Sequence, residues 1–185
     1  MFAYKNKYYI YIDNTKTLDL NLIKKRDKFI VIYRNNETKD NKKKIENFRQ
    51  KCKRKGIYFY VANNYRLAVD CKADGLYLSS HNKKKYYNFK NIIGSAHNFK
   101  EIYQKKKQGC SFIVLSRLFK TDYSFKRGFL GVVKFNRYTY LCNDFFIALG
   151  GIKNRNLNSI KNVNTTSIAL MSEVKKKPAI ISRLF

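Results

Sequence analysis

Two adjacent glycines, Gly150 and Gly151, close an apolar run of strand length, IALGG, and a polar, helix-starting segment follows at once. Glycines at the end of a buried strand let the backbone turn tightly and come close to a ligand. The first N–H groups of a helix have no partner within it and suit a phosphate. A second apolar strand then leads into a helix-cap pattern, SIALMSEV, at residues 167–174. Strand, glycine pair, helix, strand, cap is the order in which the last two units of many eight-stranded α/β barrels hold a phosphate. The same residues would also serve as a tight strand-to-helix turn with no ligand, so both readings stand.

Such a turn needs a sheet that ends beside it. Eight short strands are expected, at residues 8–12, 28–33, 56–62, 75–78, 92–96, 111–115, 145–149 and 167–171. Most are near-continuous apolar or aromatic runs, the pattern of parallel strands buried on both faces. Helical patterns lie between them. Ile45, Phe48 and Cys52 recur at helical spacing with Gly56 as the stop. Asn98 and Glu101 form a capping-box pattern before Phe99, Ile102 and Tyr103, and that helix ends at Gly109. Val132, Phe135, Tyr138 and Cys142 mark another helix, and Leu157, Ile160 and Val163 the next. The alternation predicts an α/β fold, a single, slightly shortened (β/α)8 TIM barrel over residues 1–185. An open dinucleotide-binding sheet would need a GxGxxG after an early strand, and none is present. The thin places are 13–27, the short lysine-rich link 79–91, and the C-terminal segment interrupted by Pro178.

With 185 residues, 44% of them hydrophobic, the chain is long enough for one domain with a sizeable core. No run of about 18 apolar residues exists, so no membrane-spanning helix is expected. The N-terminus alternates lysine with aromatics and does not read as a signal peptide. Cys52, Cys71, Cys110 and Cys142 are widely spaced with no CxxC pair, which favours reduced thiols. A cytoplasmic protein is the expectation. The net charge is +28, from 40 Lys plus Arg against 12 Asp plus Glu. Such a field attracts polyanions. The lysines are spread along the whole chain, however, and abundant Lys, Asn, Ile, Tyr and Phe with scarce Pro, Trp and Gly is what an AT-rich genome would give. The lysine runs 83–85, 105–107 and 175–177 read as solvated helix ends or loops.

A set of short motifs at the expected strand ends resembles the thiamine-phosphate synthase and thiazole tautomerase family of (β/α)8 barrels. VANNYRLAVD, with Asn63 and Asn64, resembles the family's Asn-Asp turn followed by Leu-Ala. ADGLYLSS resembles its Ala-Asp-Gly-Val-His-Leu-Gly, and IIGSAHN, with Gly94, Ser95 and His97, its Gly-x-Ser-x-His. Phe119-Lys120-Thr121 matches a Phe-x-Thr loop, Ala148 to Ile152 match Ala-Leu-Gly-Gly-Ile, and Ala169 to Ser172 match Ala-x-x-Ser. The resemblance implies a synthase that joins a pyrimidine-methyl diphosphate to a thiazole phosphate with loss of diphosphate. It implies that Arg34 binds the diphosphate, as a guanidinium suits bidentate phosphate contact. Asn63 would contact the diphosphate or pyrimidine, and Ser95 the reacting carbon. Thr121, Gly150, Gly151, Met171 and Ser172 would hold the thiazole phosphate. Small phosphorylated substrates are the expected partners, with no specific nucleic acid and no membrane.

The departures are as informative. The family's two Mg²⁺-binding aspartates correspond to Asn64 and Asn82. Neutral amide oxygens hold a hard dication far less well than carboxylates. The resemblance thus implies Mg²⁺ as a cofactor, while the residues present argue against a metal site. Arg117, Lys120 and the 83–85 lysines are cations that would neutralise diphosphate instead. A second activity stays open: His97 stands where the tautomerase branch carries its proposed acid/base, a role suited to imidazole. That reaction needs a phosphate anchor and a proton shuttle but no diphosphate site. A catalytically eroded, thiazole-phosphate-binding barrel is the third reading. A nucleic-acid binder is the fourth, and it would need charge and exposed aromatics gathered on one face. His81 reads as a loop residue.

Overall fold

A computed structural model describes residues 7–23, 28–35, 40–122, 128–142, 144–165 and 167–171. Eight parallel strands close into a barrel in sequence order: β1 (Lys7–Ile12), β2 (Phe29–Tyr33), β3 (Tyr58–Ala62), β4 (Gly75–Leu78), β5 (Ile92–Ala96), β6 (Phe112–Ser116), β7 (Phe146–Leu149) and β8 (Ser167–Leu170). The expected strands are all present, with ends that differ by a residue or two.

Period-two alternation divides the strand residues into two buried layers. Ile10, Val31, Phe59, Leu76, Ile113 and Leu115 point outward and pack beneath the helices. Tyr9, Tyr11, Ile30, Ile32, Tyr60, Tyr77, Ile93, Val114, Ile147 and Ala169 fill the barrel interior. Carried past the C-terminal strand ends, the inward parity reaches Arg34 on β2, Ser79 on β4, Ser95 and His97 on β5, Ser116 on β6 and Met171 on β8. A simple alternation in the sequence therefore collects the polar residues of the barrel mouth.

The helices are α1 (Lys42–Arg54), α2 (Tyr65–Asp70), α3 (Phe99–Lys107), α4 (Gly131–Cys142) and α5 (Leu157–Ile160). Ile45, Phe48 and Cys52 form the buried face of α1, and Gly56, at φ +66°, ends it. The capping box of α3 is formed: Asn98 Oδ1 accepts from the Glu101 N–H at 2.9 Å, and Glu101 Oε2 accepts from the His97 N–H at 2.8 Å. Where the sequence pattern is thin, the helical layer is thin too. Between β1 and β2 the described residues hold only a 3₁₀ turn, Leu20–Leu22, and 79–91 carries turns but no helix. The expected helix through Val163 stops at Ile160, although Val163 is still buried against the core. Pro178 and the 175–177 lysines lie outside the described residues.

At the N-terminal end of the barrel, Asp74 accepts from the Phe59 N–H and from Arg49 Nη2, both at 2.7 Å, while Arg49 Nε donates to the Lys72 carbonyl. This buried ion pair ties α1 to the start of β4. Burial pushes the thiols of Cys52 and Cys110 up to about 12 and that of Cys71 to about 11, so these cysteines stay protonated packing groups. The four cysteines are unbridged. Most strand aromatics are buried, but not every aromatic lies in the core. Tyr87, Tyr103 and Tyr140 are exposed, with Lys107 over the Tyr103 ring. No helix among the described residues is long and apolar enough to cross a membrane.

Candidate functional site

A cavity of about 210 Å³ opens at the C-terminal mouth of the barrel, the face on which (β/α)8 enzymes carry their sites. On one side lies the glycine turn. Gly150 and Gly151 have φ of +103° and +68°. A Cβ on Gly151 would stand 2.5 Å from the Lys120 carbonyl oxygen and 2.6 Å from that of Phe119. The turn thus packs backbone to backbone against the loop after β6, held by bonds from the Leu118 N–H to Leu149 O (2.8 Å) and the Phe119 N–H to Gly150 O (3.0 Å). The N–H groups of Gly151 and Ile152 bond to no other described residue. Asn156 braces the turn from behind, donating to Gly151 O and accepting from the Lys153 N–H, both at 2.8 Å.

One expectation changes here. The segment after the turn is a 3₁₀ turn, Asn154–Asn156, followed by the single-turn α5. The N–H groups offered to the cavity therefore come from the glycine backbone and its neighbours rather than from a helix N-terminus. Thr121, which lines the same cavity, adds a buried hydroxyl with no hydrogen-bond partner among the described residues. Met171 lines the cavity, and Ser172 lies outside the described residues.

Between the two sides stand Ser95, His97 and Ser116. Ser95 is buried at the cavity floor. His97 Nδ1 lies 3.0 Å from the Ser116 carbonyl oxygen and 3.0 Å from Ser116 Oγ. A carbonyl can only accept, so Nδ1 carries the hydrogen. In the uncharged ring Nε2 then holds the lone pair. The imidazole is fixed in the tautomer and orientation a base needs, with the Glu101 carboxylate gripping its backbone N–H.

The opposite side differs. Arg34 reaches the cavity from β2, and its buried Nε has no partner among the described residues. Arg117 lines the cavity from the glycine-turn side, where it packs on Gly150, and its guanidinium donates to the Gly128 carbonyl through Nε and Nη2. Asn63 and Lys120, expected at the diphosphate, do not line it. Asn63, at φ +57°, turns its Oδ1 to the Ser79 N–H (2.9 Å) and to Asn82 Nδ2 (3.3 Å). Its side chain shapes the neighbouring turn. Lys120 is exposed, and only its backbone packs on Gly151.

The residues do not fit a Mg²⁺ ion at the positions the resemblance implies. Asn64 Oδ1 caps α2 by accepting from the Leu67 N–H at 2.9 Å, and Asn82 Oδ1 accepts from the Lys84 N–H at 2.9 Å. Both oxygens are neutral and committed to backbone groups. Among the described residues, no group of three His, Cys, Asp or Glu side chains could hold a metal ion.

Several site residues were not singled out from sequence. Tyr77, Ser79, Ser80 and Ser116 line the cavity, and strand parity would have marked all but Ser80. His81, read as a loop residue, lines it too. The lysine run 105–107 is not uniformly solvated: Lys106 pairs with Asp144 at 2.9 Å, while Lys105 is fully buried. Its spacing of three from Ile102, on the apolar face of α3, was the available signal.

The comparisons agree with this geometry. The family model for thiamine monophosphate synthase matches residues 14–174. A thiamine-phosphate synthase of Prochlorococcus marinus strain AS9601 is 30% identical over 129 residues, 66% of this chain and 37% of that protein. One from strain SARG is 28% identical over 153 residues, 78% of this chain and 44% of that protein. The chain spans less than half the length of these curated relatives. Among solved structures, a thiamine phosphate pyrophosphorylase from Pyrococcus furiosus superposes with a TM-score of 0.76 at 16% identity, covering 100% of both chains. A 3-hexulose-6-phosphate synthase gives 0.67 at 12% identity, with 96% of each chain covered. The fold, the ordered strand-end motifs and the family match converge: this chain belongs to the thiamine monophosphate synthase family.

Proposed function

We propose that the chain acts in thiamine biosynthesis as a thiamine-phosphate synthase-like transferase, coupling hydroxymethylpyrimidine diphosphate to thiazole phosphate. One observation carries the reading. Two buried polar atoms without partners among the described residues, Arg34 Nε and Thr121 Oγ1, enter one cavity from β2 and from the loop after β6. Those strands lie opposite each other in an eight-stranded closed barrel. A cavity with an unsatisfied anion donor at each end suits two phosphorylated substrates bound end to end.

In the proposed reaction the bond from the pyrimidine methylene carbon to the diphosphate oxygen breaks, and its electron pair leaves with the diphosphate. The thiazole nitrogen lone pair then forms the new carbon–nitrogen bond. Arg34 stabilises the departing oxyanion. The Gly151 and Ile152 N–H groups with Thr121 hold the thiazole phosphate, which fixes the nitrogen for attack. Ser95 sits between the two ends. No step is routed through a metal.

A second reading is favoured by a separate observation. The His97 ring, locked through Nδ1, presents Nε2 as a proton acceptor, which suits a tautomerase acting on a carboxylated thiazole phosphate. Two assays on purified protein separate the readings. Thiamine phosphate formed from pyrimidine diphosphate and thiazole phosphate supports the synthase. Turnover of the carboxylated tautomer alone supports the tautomerase. Inactivity in both, with thiazole phosphate still bound, identifies a binding barrel.

A further inference from the structure

Lys105 has no solvent-exposed surface. Its stem passes over β5 at Gly94, where a Cβ would stand 2.7 Å from Lys105 Cδ and 2.8 Å from Cys110 Sγ, so only glycine leaves the passage open. The ammonium at its end donates to the Ser79 carbonyl (2.7 Å), the Asn82 carbonyl (2.7 Å) and Gln108 Oε1 (2.8 Å). That is the full set of three donors. Gln108, buried beside it, donates from Nε2 to Asn82 O (3.0 Å) and Lys84 O (2.7 Å). The gripped segment is a turn closed by the Asn82 N–H on Ser79 O at 3.0 Å. Its inner side carries Ser79, Ser80 and His81 into the cavity.

Burying an ammonium against neutral oxygens alone is costly, and a pair of well-packed apolar side chains would fill this space at less cost. Burial correspondingly pushes the Lys105 pKa down. A purely structural explanation therefore leaves the choice of residues unexplained. What the pair achieves that apolar residues cannot is to fix three backbone carbonyls of the mouth, those of Ser79, Asn82 and Lys84, from outside the barrel. The turn lies after β4, across the closed barrel from β8 and away from the glycine turn.

We propose that Lys105 and Gln108 are positioning residues for the cavity wall formed by Ser79, Ser80 and His81, and that they set affinity for the substrate end lying away from the glycine turn. The substrate assignment rests on the synthase reading; the clamp itself does not. Lys105→Met and Gln108→Leu are made in the full chain, and hydrogen exchange and steady-state kinetics are measured on each. Exchange across residues 79–84 accelerates about tenfold or more, while residues 147–153 stay within about twofold. KM for the pyrimidine diphosphate rises about tenfold, and KM for thiazole phosphate is unchanged. Unchanged exchange at 79–84 overturns the proposal. So does a uniform rise in exchange with both KM values moving together, which is general destabilisation. If Lys105→Met does not fold, Gln108→Leu, which keeps the ammonium, supplies the same readouts. If the wild type turns over neither substrate pair, the synthase reading fails, and the exchange comparison still decides the clamp.

Discussion

Two sides of one barrel mouth treat their motif residues in opposite ways. From β5 round to β8, polar atoms at the motif positions face the cavity: the Gly151 and Ile152 N–H groups and the Thr121 hydroxyl bond to nothing described, and His97 is anchored through Nδ1 alone. From β3 to β4, the motif amides are spent on the backbone. Asn64 caps a helix, Asn63 holds the Ser79 N–H, and Asn82 holds the Lys84 N–H. Arg34, on β2, is the exception on that side. The motif positions thus keep the turn on both sides, but they leave polar atoms facing the cavity chiefly on one.

The largest expected effect tests whether the β5–β8 side does chemistry or only binds. His97→Gln removes the lone pair at Nε2 and keeps a side chain able to donate to the Ser116 carbonyl. Turnover of the carboxylated thiazole phosphate falls by about 10²–10⁴-fold, and synthase turnover changes far less. A synthase rate that collapses with it would make the histidine a shared element and end the distinction between the two readings.

Gly151→Ala comes next. The substitution meets both the left-handed φ of +68° and the carbonyl oxygens of Phe119 and Lys120. The expected cost is about 1–3 kcal/mol of stability, read as a lower Tm, with thiazole-phosphate affinity weakened by about a hundredfold at the upper end of that range. Unchanged phosphate affinity in a folded variant would reduce the glycine pair to a tight turn. Arg34→Gln is expected to raise KM for the pyrimidine diphosphate by roughly 10- to 100-fold, the worth of one charged hydrogen-bond donor, without touching the thiazole KM. Equal movement of both would mean that Arg34 serves the whole cavity.

The same contrast explains what the sequence could and could not tell. The barrel was legible because runs such as FIVIY and FIVLS have strand length and β-branched and aromatic enrichment, which favour buried strands over helices, and because Asn98 with Glu101, and Gly56, mark helix ends by mechanisms that act locally. The glycine turn was legible for the same reason, since φ above zero needs glycine. What failed depends on partners distant in sequence. Nothing near Asn63 says that its oxygen will meet the N–H of Ser79, sixteen residues on. The helical spacing puts Lys105 on the apolar face of α3, but what its ammonium meets there depends on Ser79 and Asn82, more than twenty residues away. The thin links after β1 and β4 were legible too: their apolar spacing is weak, and the described residues there hold only turns.

The smallest expected effect bears on the β3–β4 side directly. Asn64→Asp keeps an oxygen for the Leu67 N–H, and aspartate caps a helix about as well as asparagine, so stability should move by only a few tenths of a kcal/mol. Asn82→Asp costs somewhat more, because a second carboxylate oxygen would replace the Nδ2 that donates to Asn63 Oδ1 and would face that oxygen instead. The double variant restores both carboxylates that the resemblance implies for Mg²⁺, and carboxylate oxygens suit a hard ion. The wild type should therefore turn over equally with and without EDTA, while the double variant should respond to Mg²⁺ by a few-fold in kcat/KM. Loss of wild-type turnover in EDTA would show that the site engages metal through other oxygens, the substrate's included, and the two sides of the mouth would then be closer in function than their side chains suggest.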